Sequence, residues 1–165
     1  MPKGIARALL ILAVVLPTSC SSHATRHEVL NDQEYGPYRL PGTAAIEGQV
    51  VSRLTPGEVQ YCPHCQIRLR PVTTETTKYV ERVVLAGKTE LMEDRPGQVK
   101  WLSAADEVGR FRFVNLPVGD YYLFVRMAWR QEGKTHDGMG FARAHVEAGQ
   151  TVQVDVTPVT TPSGG

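Results

Sequence analysis

The stretch Asp106 to Val125, DEVGRFRFVNLPVGDYYLFV, decides the fold. Phe111 and Phe113 alternate with Arg110 and Arg112, the period of a strand with one buried face. Gly109 before this pair and Pro117-Val118-Gly119-Asp120 after it carry turn chemistry. The reading is therefore a hairpin turn at Gly109, a short strand, a second turn and a long strand. That long strand runs past Val125: Tyr121, Leu123, Val125, Met127 and Trp129 alternate with positions that include Arg126 and Arg130. A period of two held over such a length does not fit a helix.

Working outward, Ile67 and Leu69 alternate with Arg68 and Arg70, and Val152, Val154 and Val156 with Gln153 and Asp155. An opening strand is expected around Ala44 to Leu54, and a late one around Gly140 to Glu147 with Ala142, Ala144 and Val146 inward. These make six or seven strands separated by turn signals such as Ala148-Gly149, which points to an antiparallel sandwich. Thr74 to Gly87 stands apart. Tyr79, Val80, Val83 and Val84 fall on one helical face and Gly87 sits where a helix would stop, so a short helix or irregular crossover packed on the sandwich is expected.

The Asp106 to Val125 pattern, with Leu116-Pro117-x-Gly119-x-Tyr121 at its centre, resembles the carboxypeptidase regulatory-like domain. Ala45-Ile46-Glu47-Gly48-Gln49-Val50-Val51 is similar to the first strand of such domains. The resemblance implies an all-β, seven-stranded Greek-key sandwich of the transthyretin or prealbumin type. It also implies an accessory or adhesive module, often carried by bacterial envelope lipoproteins, with no catalytic residue among the matching positions.

The first residues differ in kind. Lys3 and Arg7 precede nine uncharged residues, Ala8 to Leu16, followed by Pro17-Thr18-Ser19-Cys20. This is the layout of a secretory signal peptide, and nine residues fall well short of the roughly 20 that span a bilayer. Small residues directly before Cys20 resemble a bacterial lipoprotein signal, in which residues 1–19 are removed and Cys20 is lipidated. Pro17 stands where such signals usually carry leucine, and cleavage after Ser22-His23-Ala24 would instead release a soluble protein. Residues 20–42 read as a polar tether, with Val29, Leu30, Tyr35, Tyr38 and Leu40 arguing that part of it docks on the domain. The sandwich is expected at 43–157 and a disordered tail at 158–165.

The chain has 165 residues, with 18 basic and 17 acidic groups and three cysteines. Loss of the leader removes Lys3 and Arg7, leaving 16 basic groups against 17 acidic, so lipid and not charge would hold the protein at a membrane. A balanced chain without a basic stripe has no footprint for nucleic acid.

Tyr61-Cys62-Pro63-His64-Cys65 is the stretch with most chemical promise. CPHC also occurs in periplasmic thioredoxin-like oxidases, but those place it at a helix N-terminus, whose dipole lowers the thiol pKa. Here a strand pattern follows, ended by Pro71. A structural zinc site wants four ligands, and no second CxxC is present. The remaining reading is a local Cys62–Cys65 disulfide, as an oxidising compartment permits. The alternative is a periplasmic redox or metal-binding protein built on this tetrapeptide.

His23 and His27 fall in the tether, His145 on an exposed strand face, and His136 in a glycine-rich loop, Gly133 to Gly140. Ser52 and Ser103 lie in no nucleophile elbow. Arg68, Arg70, Arg110, Arg112, Arg126 and Arg130 are read either as a basic sheet face or as solvated strand positions balanced by acids. The expected protein is a non-enzymatic, lipid-anchored envelope module without metal or cofactor, partnered by the membrane through Cys20 and by an envelope protein or surface polymer.

Overall fold

The computed structural model describes residues 33–54 and 56–160. Cys20, His23, His27, Val29 and Leu30 lie outside them, as do the leader and the last five residues.

Two sheets face each other, with β1 (Ala44–Gln49), β6 (Arg110–Leu116) and β9 (Thr151–Gln153) in one, ordered β6-β1-β9. The other is ordered β10-β8-β7-β4-β5, from β4 (Gln66–Pro71), β5 (Trp101–Ala104), β7 (Gly119–Gln131), β8 (Lys134–Val146) and β10 (Thr157–Pro158). β2 (Val51–Ser52) and β3 (Gln60–Tyr61) pair as a small hairpin at one end. Seven of these strands have three or more residues; β2, β3 and β10 have two each.

The expected alternation on β7 is present. Tyr121, Leu123, Val125, Met127 and Trp129 are all buried between the sheets with Ile46, Val50, Ile67, Leu69, Phe111, Phe113 and Leu116. Burial of each such side chain contributes roughly 1.5–3 kcal/mol. On β8, Ala142, Ala144 and Val146 point inward as expected.

Four expectations need correction. The turn at Gly109 does not join two paired strands. Asp106 N donates to Arg110 O at 2.9 Å, yet β5 pairs with β4 while β6 pairs with β1, so this turn carries the chain from one sheet to the other. The sandwich is also not wholly antiparallel, because β1 and β9 run parallel. The long β7–β8 hairpin returns the chain to the end where β1 begins, and the turn at Glu147–Gln150 then starts β9 beside Ala45, in the same direction.

Third, Gly133 to Gly140 is not a loop. Only Glu132 and Gly133 turn, both at positive φ, between the paired Gln131 and Lys134, as a two-residue hairpin requires. Gly138 and Gly140 lie within β8 because large side chains occupy the space above them. A Cβ on Gly138 would meet Trp129 Cη2 at 2.7 Å, and one on Gly140 would meet Val125 Cγ1 at 2.6 Å. Fourth, the expected tail begins inside the sheet, since Thr157 and Pro158 pair with Phe141 and Gly140.

Thr74–Tyr79 forms the helix α1, and Val80–Val84 continues it as a π turn. Thr73 caps it: Thr76 N donates to Thr73 Oγ1 at 3.2 Å and Thr73 N to Thr76 Oγ1 at 2.8 Å, a reciprocal box. Gly87, with φ of 69°, ends it, its N–H donating to Val84 O. The predicted face, Tyr79, Val80, Val83 and Val84, packs on Tyr122, Phe124 and Met139, so the first half of β7 is buried on both sides.

Candidate functional site

The first described residues dock at one end of the sandwich. Residues 33–35 are helical, and Gly36–Tyr38 is a 3-10 turn. Tyr35 is fully buried and its hydroxyl accepts from Thr73 Oγ1 at 3.4 Å. Tyr38 meets the Tyr121 ring edge-on at 5.4 Å and covers Gly119, where a Cβ would come within 2.6 Å of its hydroxyl oxygen. Of the residues expected to dock, Tyr35 and Tyr38 do, while Leu40 is 75% exposed.

At the opposite end sit the loops around β3. Cys62 and Cys65 are joined as a disulfide, with Cα atoms 5.6 Å apart. The bridge is held between the sheets' ends, for Cys62 N donates to Val50 O at 3.1 Å and Ala105 N to Cys65 O at 2.9 Å. His64 crests the loop at a positive φ of 58° and is exposed. β4 follows the loop directly, so no helix dipole faces Cys62. Beside the bridge, Asp106 Oδ1 accepts from Val108 N at 2.9 Å and Arg110 N at 2.8 Å, which closes the neighbouring turn.

Tyr61 belongs to this end and the sequence reading assigned it no role. Tyr61 is 44% exposed, whereas every other aromatic residue is buried or half-buried. Val59 and Val108, 48% and 40% exposed, are close to it along the chain and across the Gly109 turn, where a Cβ would lie 3.4 Å from Tyr61 Cβ. The position was visible in the sequence as an aromatic beside the cysteine loop, but exposure is a property of the folded ends and not of local pattern.

The remaining candidates separate. His136 stacks on Trp129, centroids 5.9 Å apart, as a cross-strand pair. His145 is exposed, its Nε2 3.0 Å from Glu147 Oε1 and its Nδ1 3.4 Å from Asp120 Oδ2. The bond to Glu147, helped by Asp120, raises its pKa above the ordinary histidine value. Ser52 is buried in β2 and Ser103 half-buried in β5. Among the described residues, no three His, Cys, Asp or Glu side chains gather in a way that would hold a metal ion.

The six arginines form no single basic face. Arg110 and Arg112 lie on one sheet, and Arg112 pairs with Glu47 at 3.4 Å. Arg68, Arg126 and Arg130 lie on the other, and Arg126 pairs with Asp137 at 2.8 Å. Arg70 is fully buried; it donates to Asp94 Oδ1 at 2.5 Å and Gln98 Oε1 at 2.9 Å, pinning the crossover to the sheet. A groove of about 800 Å³ between α1 and residues 90–95 is lined by both signs of charge, with Arg95 and Glu75 paired at 3.5 Å.

No protein-family model matches the chain, and no curated protein matches it. Among solved structures, a protein of Pseudomonas aeruginosa provisionally described as carbohydrate-binding is similar, with a TM-score of 0.63 and 22% identity over 76% of this chain and 95% of that one. The major pilin subunit of Bacillus cereus matches at a TM-score of 0.42 and 17% identity, over 71% of this chain and 30% of that one. The first likeness is one of fold: the chain is a β-sandwich.

Proposed function

We propose that the chain is a non-enzymatic, lipid-anchored protein of the bacterial envelope, whose sandwich is a binding or structural module for a surface polymer or protein. In this reading residues 1–19 are a signal peptide, Cys20 carries lipid, and the carboxypeptidase regulatory-like domain occupies 43–157. The seven strands of three or more residues are then the Greek-key strands of a transthyretin-like sandwich, with β2, β3 and β10 as short additions.

The observation that carries the reading is the docking of Glu34 to Tyr38 at one end of the sandwich. A chain entering there from Cys20 leaves the loops of the other end pointing away from an anchoring surface. The provisional carbohydrate-binding description of the Pseudomonas aeruginosa fold neighbour supports a binding role. Among the described residues, no helix is long and apolar enough to cross a membrane. In this reading attachment is through Cys20, where several acyl chains would anchor firmly at about 0.8 kcal/mol per buried methylene.

Metabolic labelling with a radiolabelled fatty acid tests the anchor. The wild type is expected to take up label and fractionate with membranes, and Cys20→Ser to do neither. A wild type that is unlabelled and freely soluble overturns the reading.

A further inference from the structure

We propose that the end of the sandwich bearing Tyr61 is a binding surface for a neutral polysaccharide, with the Tyr61 ring as its stacking platform. This rests on the reading of the chain as an envelope binding module and names the surface and ligand class.

Position comes first. β1 begins at Ala44, opposite Leu116, and ends at Gln49, opposite Arg110. The docked N-terminal segment lies at the Leu116 end, where Tyr38 covers Gly119. Tyr61 lies at the other, paired with Val51 just beyond Gln49. Six strand residues at roughly 3.3 Å each separate the two ends by about 20 Å. A ligand at Tyr61 meets neither the tether nor the surface that holds it.

Exposure comes second. A folded chain that buries or half-buries eleven of its twelve aromatic residues leaves this one 44% exposed, with exposed Val59 two residues before it and exposed Val108 next to Gly109, which adjoins it. Aromatic side chains are large apolar groups whose exposure marks recognition when they cluster with other apolar surface.

Rigidity comes third. The Cys62–Cys65 bridge follows Tyr61 directly. Gln60 before it donates to Arg130 O at 2.7 Å and accepts from Arg130 N at 2.7 Å, tying β3 to β7. A ring held on such a base loses little freedom on binding.

Charge selects the ligand. Arg53 at this end is paired with Asp155 at 2.9 Å, and Asp106 is engaged by two backbone N–H groups. The exposed charged groups at this end carry both signs, Glu58 and Glu107 against Arg110 and Arg130, so no single-sign patch favours a charged polymer. A pyranose ring presents apolar C–H groups on its face and hydroxyls on its rim. An aromatic face attracts the former, and exposed polar side chains such as His64 and Glu107 can meet the latter.

Affinity electrophoresis of the full-length protein in mild detergent tests this, with dextran, laminarin, mannan or galactomannan cast in the gel. At least one of these should retard the wild type. Tyr61→Ala should weaken the interaction by about tenfold or more, as loss of a central aromatic anchor does, and Tyr61→Phe should stay within about threefold. Leu40→Ala, exposed at the other end, should bind as wild type. If Tyr61→Ala fails to fold, Tyr61→Gln, which fills more of the same space without an aromatic face, takes its place. Lack of retardation by all four polysaccharides, or wild-type binding by the Tyr61 variant, overturns the proposal. Cys20→Ser should bind as wild type does, so a missing acyl label and missing glycan binding are separate results.

Discussion

Glu34 and Thr74 join the start of the described chain to the first turn of α1: Thr74 N donates to Glu34 Oε2 at 3.0 Å and the Thr74 hydroxyl to Glu34 Oε1 at 2.5 Å. The residue that follows Glu34 is fully buried. The segment read from composition as tether is thus, over residues 34–38, a working part of the folded body. Glu34→Ala removes a charged acceptor at a helix start and should cost about 1 kcal/mol, whereas Tyr35→Ala, which empties a buried site, should cost about 3 kcal/mol. Thermal melts of the two variants check this; equal, negligible shifts would mean the segment is only resting on the surface.

Arg70 is fully buried with its charge held by a partner, Asp94, whose side chain is 48% exposed. Lys100 also bonds Asp94, and these bonds, Lys100 first and then Arg70, hold its carboxyl below the ordinary aspartate value. A depressed carboxylate stabilises the fold above its unfolded pKa, and that contribution disappears as pH falls through its folded value. Asp94→Asn should therefore destabilise the protein by about 1–2 kcal/mol near neutrality, less than a fully buried pair because water reaches Asp94. The deficit should narrow as pH falls below the ordinary aspartate value, about 4, and on through the lower folded one. Urea melts at pH 7 and pH 3 measure the difference.

Asp120 faces Nδ1 of His145 and Glu147 faces Nε2, so each ring nitrogen meets a carboxylate that favours its protonated form. A raised folded-state pKa means that the stabilising contribution is fully present below the unfolded value, near 6.5, and is lost as pH rises through the folded value. NMR titration should find His145 above an ordinary histidine and Glu147→Gln should lower it, since Glu147 is the larger cause. Unchanged titration in that variant would leave the contact without electrostatic weight.

The inward face of β7 was legible because Tyr121 to Trp129 alternate without a break, and the helical face of Thr74 to Gly87 because four apolar residues share one side. The outward face of β7 was not. Tyr122 and Phe124 are covered by a helix more than forty residues earlier in the chain, and no local period reports such a partner. Glycine misled for a related reason. In isolation Gly138 and Gly140 signal a turn, yet here Gly140 stands opposite Val125, and Gly138, opposite Met127, leaves room for the diagonal Trp129 ring. The cysteine spacing brought Cys62 and Cys65 together correctly, but Tyr61 beside them could be singled out only once the ends of the sandwich were known.

The Trp129–Gly138 relation can be tested directly. An added methyl group has no space under the indole, since its carbon would stand 2.7 Å from Cη2 and 3.0 Å from Cζ3. Gly138→Ala should therefore cost about 2 kcal/mol by overpacking despite the higher strand propensity of alanine, and Trp129→Phe should recover part of that loss in the double variant. A single variant as stable as wild type would show that the indole swings aside freely.

The Cys62–Cys65 bridge closes a loop of only a few residues. The chain-entropy account gives roughly 2 kcal/mol for so short a loop, far less than burial across both sheets supplies, so the sandwich should not depend on it. The double variant Cys62→Ser/Cys65→Ser is expected to fold, with a melting temperature lowered by several degrees and unchanged far-UV circular dichroism. Its effect should be concentrated at Tyr61, Cys62 and His64, where amide hydrogen exchange should quicken while β7 and β8 keep their protection. Exchange that quickens equally throughout the sandwich would instead make the bridge a global staple, and the end bearing Tyr61 would lose the separate rigidity ascribed to it.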